Sequence, residues 1–271
     1  MNAHAGVPRD ASEAKTYALD LSVDIGPDGE SRMTRHRVAF PWSLGRAFPA
    51  ERAGGPLRIL PQVAGAGLLS GDMRRQRVRV GAGAAARIED AGAIVAHRGA
   101  HGPAAARWRY DLAAAARLTL AAEPYALSPG ASLSLQTEIV IDPAASFLGF
   151  EGVCLAGEGP ASWRSETIVR APDWTVLLVD RQRAEASDYA RFAALPGKPA
   201  AFGSFLLLAP SSGQSSEFEA AASLCASISE KFGAYAAAAP LRGGVGVGVR
   251  LAAAAGGDLR RAAIAIMAAL A

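Results

Sequence analysis

Cysteine is almost missing from these 271 residues: Cys154 and Cys225 are the only two. That is too few for a disulfide framework, and they are too far apart for a CxxC metal or redox pair, so a stapled secreted fold is excluded and a reducing compartment fits. Lysine occurs only at positions 15, 198 and 231, which leaves arginine to supply 25 of the 28 basic residues. Against 25 acidic residues the net charge is +3, too weak a surplus to indicate nucleic acid. The wealth of arginine and alanine reads first as compositional bias. No apolar run approaches the roughly 20 residues of a membrane-spanning helix, the longest being Ala262 to Ala271. The first thirty residues carry Arg9, Asp10, Glu13, Lys15, Asp20 and Asp24 with no apolar centre, so no secretory leader is expected. What is present is 51% hydrophobic and 20% charged, the balance of a globular chain, and a soluble cytoplasmic protein is the expectation.

Period-two alternation dominates the pattern. Leu19, Leu21, Val23 and Ile25 alternate with Asp20, Ser22 and Asp24, and Val78 and Val80 stand between arginines. Leu133, Leu135, Thr137, Ile139 and Ile141 share one face of a longer strand. Alternation of this kind predicts antiparallel sheets with one packed and one wet face. Glu166–Arg170 and Thr175–Val179 flank Ala171-Pro172-Asp173-Trp174, a turn that predicts a hairpin. Two helices are predicted late in the chain. Ser216 and Glu219 form a capping box before Phe218, Ala222, Cys225, Ile228 and Phe232 at helical spacing. Asp258 is a candidate N-cap for a stripe of Leu259, Ala262, Ala263, Ile266 and Leu270. The expected fold is mainly β, a large antiparallel β-sheet domain of sandwich or solenoid-like form over residues 15–271, with two α-helices in the C-terminal third. Residues 1–14 read as a loose arm.

Three motifs suggest chemistry and weigh little. Gly81-Ala-Gly83-Ala-Ala-Ala86 follows a strand in the manner of a dinucleotide-binding turn. The acid due about 20 residues later is missing, and a hairpin corner fits better. His97 and His101 are spaced for a metal on a helix, but Gly99 and Gly102 oppose a helix there. Gly67-Leu-Leu-Ser70-Gly71 does not match the serine-hydrolase elbow. Glu123, Glu151, Glu158 and Asp180 lie in or beside apolar segments, where a carboxylate needs a partner, a hydrogen bond, water or a metal. Pairing with the many arginines is the default reading for each, and Asp180 with Arg181 reads as a strand-end cap.

The order of segments resembles the urease accessory protein D family. Gly55-Pro56-Leu57-Arg58, Ala66-Gly67-Leu68-Leu69-Ser70-Gly71-Asp72 and the Arg77-to-Ala84 strand and corner follow one another as that family's motifs do. The likeness continues through Leu118 to Tyr125, Pro129-Gly130-Ala131, the long alternating strand and Glu151, and again at Gly246 to Arg250 and in the final Asp258-to-Leu270 helix. It departs where Ala66 replaces the first glycine of a GG pair, at Glu89-Asp90-Ala91 and Val95-to-Arg98, and in a shortened Ala156-to-Ala161.

The resemblance implies a non-enzymatic metallochaperone scaffold. Its partners would be urease accessory protein F, through it the GTPase accessory protein G, and the urease apoprotein. Nickel would be in transit, with no permanently bound cofactor. A bare divalent cation cannot cross an apolar core, so such a protein needs polar groups along an internal path. Asp72, Glu123 and Glu151, in the matched segments, are the candidates for that path, with Gly67, Gly71 and Asp72 forming the motif. The alternatives are a divergent paralogue that acts as a protein-interaction scaffold without nickel transfer, and a nucleotide-dependent enzyme using the Gly81–Ala86 corner.

Overall fold

The computed structural model describes residues 17–50, 54–65, 67–210 and 214–270, with side chains of 214–216 also left aside; the expected arm over 1–14 and Ala66 lie outside them. The alternating segments become strands that wind in coils between two facing sheets. One sheet holds β1 (Leu19–Ile25), the edge strand β2 (Ser31–Val38), β6 (Met73–Val80), β9 (Ala104–Leu112), β12 (Ser132–Ile141), β14 (Ser162–Arg170) and β15 (Val176–Ala184). The facing sheet holds β4 (Leu57–Ile59), β7 (Ala85–Glu89), β10 (Arg117–Ala121), β13 (Ser146–Leu155), β16 (Ala201–Leu208), β17 (Tyr235–Pro240) and β18 (Gly246–Ala253). The short strands β8 (Val95–Ala96) and β11 (Tyr125–Leu127) join its flank through β13. A separate small ribbon pairs β3 (Trp42–Leu44) with β5 (Pro61–Val63).

The mainly β, sandwich and solenoid-like character agrees with the expectation; the strand direction differs. Pairing is parallel through the centre, β6 with β9, β9 with β12 and β12 with β14 in one sheet, β4 with β7, β7 with β10 and β10 with β13 in the other. Antiparallel pairs occur toward the ends, including β1 with β2, β14 with β15, and β13 with β16 and β18 beyond it. The reason is the winding. In the centre the chain leaves each strand for the other sheet before it returns, so neighbours there run the same way. Alternation reports only that each sheet has one wet face, which a two-sheet coil provides as well as a hairpin does. For the same reason the Gly81–Gly83 corner is not a hairpin: it carries the chain from β6 across to β7 in the opposite sheet, and a strand rather than a helix follows. The Ala171–Trp174 hairpin joins β14 to β15 as expected.

Inward residues of both sheets form the core, with Leu21, Val78, Tyr110 and Ile139 meeting Ile59, Ile88, Leu118 and Phe147. Both expected helices are present as α2 (Gln214–Phe232) and α3 (Gly256–Leu270), and a short α1 (Ala186–Phe192) precedes them. Helix α3 begins two residues before Asp258, so that carboxylate lies in the first turn, not at the cap, where it favours the helix dipole and pairs with Arg261. Ala221, Cys225 and Ile228 of α2 and Leu259, Ala262 and Ile266 of α3 bury against Phe205, Val247 and Val249. The two long helices therefore cover the outer face of the second sheet, and among the described residues no helix covers the outer face of the first.

Candidate functional site

The coils are interrupted at one level. Strand β7 ends at Glu89 and β8 resumes at Val95, β10 ends at Ala121 and β11 resumes at Tyr125, while β13 runs through unbroken beside them. The gaps place Asp90, Glu123 and Glu151 at equivalent points of three consecutive coils. Together with Asp180 of β15 they line an internal cavity of about 90 Å³ between the sheets, closed by Trp42, Trp108, Tyr110, Tyr125, Phe147 and Phe150. A space of this size, with several polar partners, has room for a few waters.

Two of the four carboxylates are neutralised from outside. Arg260 of α3 donates through Nε to Glu123 at 2.6 and 2.8 Å, and Arg250 of β18 donates to Asp180 Oδ1 at 2.5 Å. Gln182 bridges Asp180 and Ser204. Asp90 and Glu151 make no ion pair among the described residues. Burial pushes the Glu151 carboxyl up to about 7, with Asp180 adding to the rise and Ser165 and Arg250 opposing it. Burial also lifts Asp90 to about 6, against the Glu123 backbone N–H and reinforced by the Glu123 charge. Tyr110 and Tyr125, enclosed in the same space, are held protonated by desolvation. Two open pockets adjoin the cavity and share its acids. One, of about 270 Å³, lies beneath α3 and is lined by Glu89, Asp90, Glu123 and Arg260; the other, of about 420 Å³, lies against Trp42, Arg74 and Asp90.

Two of these four carboxylates have no ion-pair partner among the described residues, and burying an unpaired carboxylate is costly. Oxygen donors alone, without thiolate or imidazole, hold a divalent transition metal weakly. Among the described residues no three His, Cys, Asp or Glu side chains are grouped so as to hold a metal ion.

The model of the family described as UreD urease accessory protein matches residues 16–271. The chain belongs to the UreD family. It is 29% identical over 233 residues to urease accessory protein UreD 1 of Methylorubrum extorquens (strain PA1), covering 84% of this chain and 78% of that protein. Identity is 30% over 206 residues with UreD 1 of Bradyrhizobium sp. (strain BTAi1), covering 74% and 72%. With UreD 1 of Streptomyces griseus it is 34% over 125 residues, covering 46% and 49%. These relatives are named as accessory proteins.

Set in the UreD fold, the residues singled out from the sequence separate into two places. Glu123 and Glu151 meet in the cavity. Asp72 does not join them: it is exposed on the turn before β6, where its Oδ2 accepts from the Leu69 N–H at 2.8 Å and its backbone carbonyl accepts from Ala105. Gly67 and Gly71 serve that corner. Gly67 has φ 129, and a Cβ on it would stand 2.1 Å from the Val95 carbonyl oxygen; Gly71 has φ 84 and lies against His101. The glycine motif thus seats one corner upon the next. His97 and His101 belong to that next corner, in a loop rather than on a helix, and Ser70 Oγ binds its backbone at His101 and Gly102. Glu158 is exposed in a loop. Asp180 and Arg181 face opposite sides of β15, Asp180 into the cavity and Arg181 outward to Glu166, so they do not cap a strand end together.

Asp90 is the site residue that sequence reasoning missed. In the linear pattern it is one of two acids just past a strand end. Its place among the carboxylates follows from the coil stacking, and the only available signal was that Glu123 and Glu151 also end or flank alternating segments.

Proposed function

We propose that this chain is a urease maturation factor which passes nickel through its interior to the urease apoprotein, acting with accessory protein F and, through F, with the GTPase accessory protein G. The observation that carries this reading is the carboxylate cavity between the sheets. Membership of the UreD family supports the pathway, and the cavity supports the cargo. A hydrated divalent cation entering from the α3 side meets Glu123 and Asp90 first and then Glu151 and Asp180. Each step trades water for carboxylate oxygen, so the ion does not face an apolar wall alone. Arg260 and Arg250 keep two of the acids from holding it too tightly. Asp72 organises a surface corner in this reading and does not touch the ion. No bond of a substrate is made or broken, so the role is not enzymatic. The two free thiols suit the cytoplasm.

The test is activation of apo-urease in cells supplying F and G and lacking any other UreD protein. The D90N/E151Q double variant is expected to co-purify with F and urease while activation and urease-bound nickel fall about tenfold or more. Full activation by that variant would favour the second reading, a scaffold that holds the assembly without carrying metal.

A further inference from the structure

Among the described residues no helix covers the outer face of the seven-stranded sheet, and that face is strongly and unevenly charged. Strand β6 presents Arg75, Arg77 and Arg79 outward, and β9 sets Arg107 and Arg109 directly beside the first two. Strands β14 and β15 add Arg164, Arg170, Arg181 and Arg183, with Arg164 opposite Arg183. The edge strand β2 adds Arg32, Arg35 and Arg37 across from β1. Only Asp20, Asp24, Asp111, Glu138 and Glu166 share the outward positions of this sheet. Twelve arginines thus stand against five carboxylates on one face. The whole chain carries a surplus of only three, so the remainder of the molecule is net acidic.

Asp20 and Glu166 are each paired with one arginine, Arg79 and Arg181, while two other carboxylates of this face are each shared between two. Asp111 takes both Arg77 at 2.7 Å and Arg109 at 3.0 Å, and Glu138 takes Arg170 at 2.9 Å and Arg109 at 3.5 Å. Arg75 beside Arg107, and Arg164 opposite Arg183, are like-charge neighbours on adjacent strands, an arrangement that costs stability unless a negative group lies above it. Over the end of the sheet Trp174, 49% exposed, stacks on Arg109 at 5.1 Å and on Arg170 at 5.9 Å. Exposed Val176 and Val179 follow it on β15. An aromatic ring with a small apolar patch, set in a field of arginines, has the composition of a protein-binding centre.

We infer that this face docks an acidic protein surface, with Trp174 as the anchor and the arginine rows as the steering and registering field. The five interspersed carboxylates and the single aromatic platform favour carboxylate-bearing protein over the continuous phosphate of a nucleic acid. The inference is independent of nickel passage, because none of these side chains lines the cavity.

The probe is a random glutamate–tyrosine copolymer, titrated into the full chain at about 50 mM and about 300 mM salt. The expected result is salt-sensitive binding that R107E/R183E weakens about tenfold or more and W174A weakens severalfold. K198E/K231E makes the same change in net charge away from this face and is expected to bind like the parent. R107A/R183A should fall between the parent and the double reversal, and thermal melting checks that each variant is folded. Absence of binding, equal loss in K198E/K231E, or tighter binding of a duplex DNA of about 20 base pairs that R107E/R183E abolishes would each overturn the inference.

Discussion

The backbone N–H of Glu123 donates to Oδ2 of Asp90 at 3.1 Å, linking two consecutive coils at the level where both are interrupted. The bond favours the charged form of Asp90, whereas desolvation and the Glu123 carboxylate oppose it. Arg260 restrains Glu123 from the helix side. One carboxylate thus carries an arginine partner, its neighbour is raised to about 6, and Glu151 one coil further on is raised to about 7. This graded set distinguishes the cavity from an ordinary buried ion pair.

Glu151 makes stability depend on pH with a definite sign. Its folded value near 7 lies above the ordinary 4.5, so the folded chain keeps this proton after the unfolded chain has released it. Its contribution is favourable below about pH 4.5, is lost as pH rises to 7, and stays lost above that. E151Q should therefore stabilise the fold more at pH 8 than at pH 5, by a difference on the order of 2–3 kcal/mol at most, with the melting temperature rising in the same sense. Melting curves of the two proteins at both pH values check it; equal shifts would contradict the burial cause.

D72A should leave urease activation at the level set by the folded protein. It removes one acceptor from an exposed turn, so the expected loss of stability is about 1 kcal/mol. Denaturant unfolding measures the loss, and a co-expression assay measures the activation.

Gly67 and Gly29 both have positive φ, 129 and 81, but only Gly67 has backbone in the way. G67A should cost more than about 3 kcal/mol, because the new Cβ meets the Val95 carbonyl in addition to the dihedral strain. G29A, with open space around it, should cost about 1 kcal/mol. Soluble yield and melting temperature separate the two.

L259A should release α3 from the sheet. Leu259 is fully buried and lies near Gly152 and Gly203 beside the Phe150 ring, so truncation is expected to cost about 2–5 kcal/mol. Proteolysis near the C-terminal helix should accelerate in step with the loss in thermal stability.

Much of the fold was legible because burial imposes local periods. Leu133 to Ile141 reads as a strand with one dry face, and Leu259 to Leu270 as a helix with one apolar stripe, and both are found so. Strand direction was not legible, since β6 and β9 alternate in the same way whether they run parallel or antiparallel. The short helix α1 was missed because seven residues carry too little periodic signal, with Tyr189 its only buried residue.

What the sequence by itself determined is which faces are wet and which are dry, because side-chain hydrophobicity and backbone period act over a few residues. It also marked Glu123 and Glu151 as carboxylates needing partners. Only the tertiary structure decided that these two meet Asp90 and Asp180 while Asp72 stays at a surface corner. It alone decided, too, that a chain with a surplus of three charges gathers its arginines on one sheet face. Both results arise from coil stacking, which brings residues some thirty positions apart onto adjacent strands about 5 Å from each other. No local pattern encodes that distance.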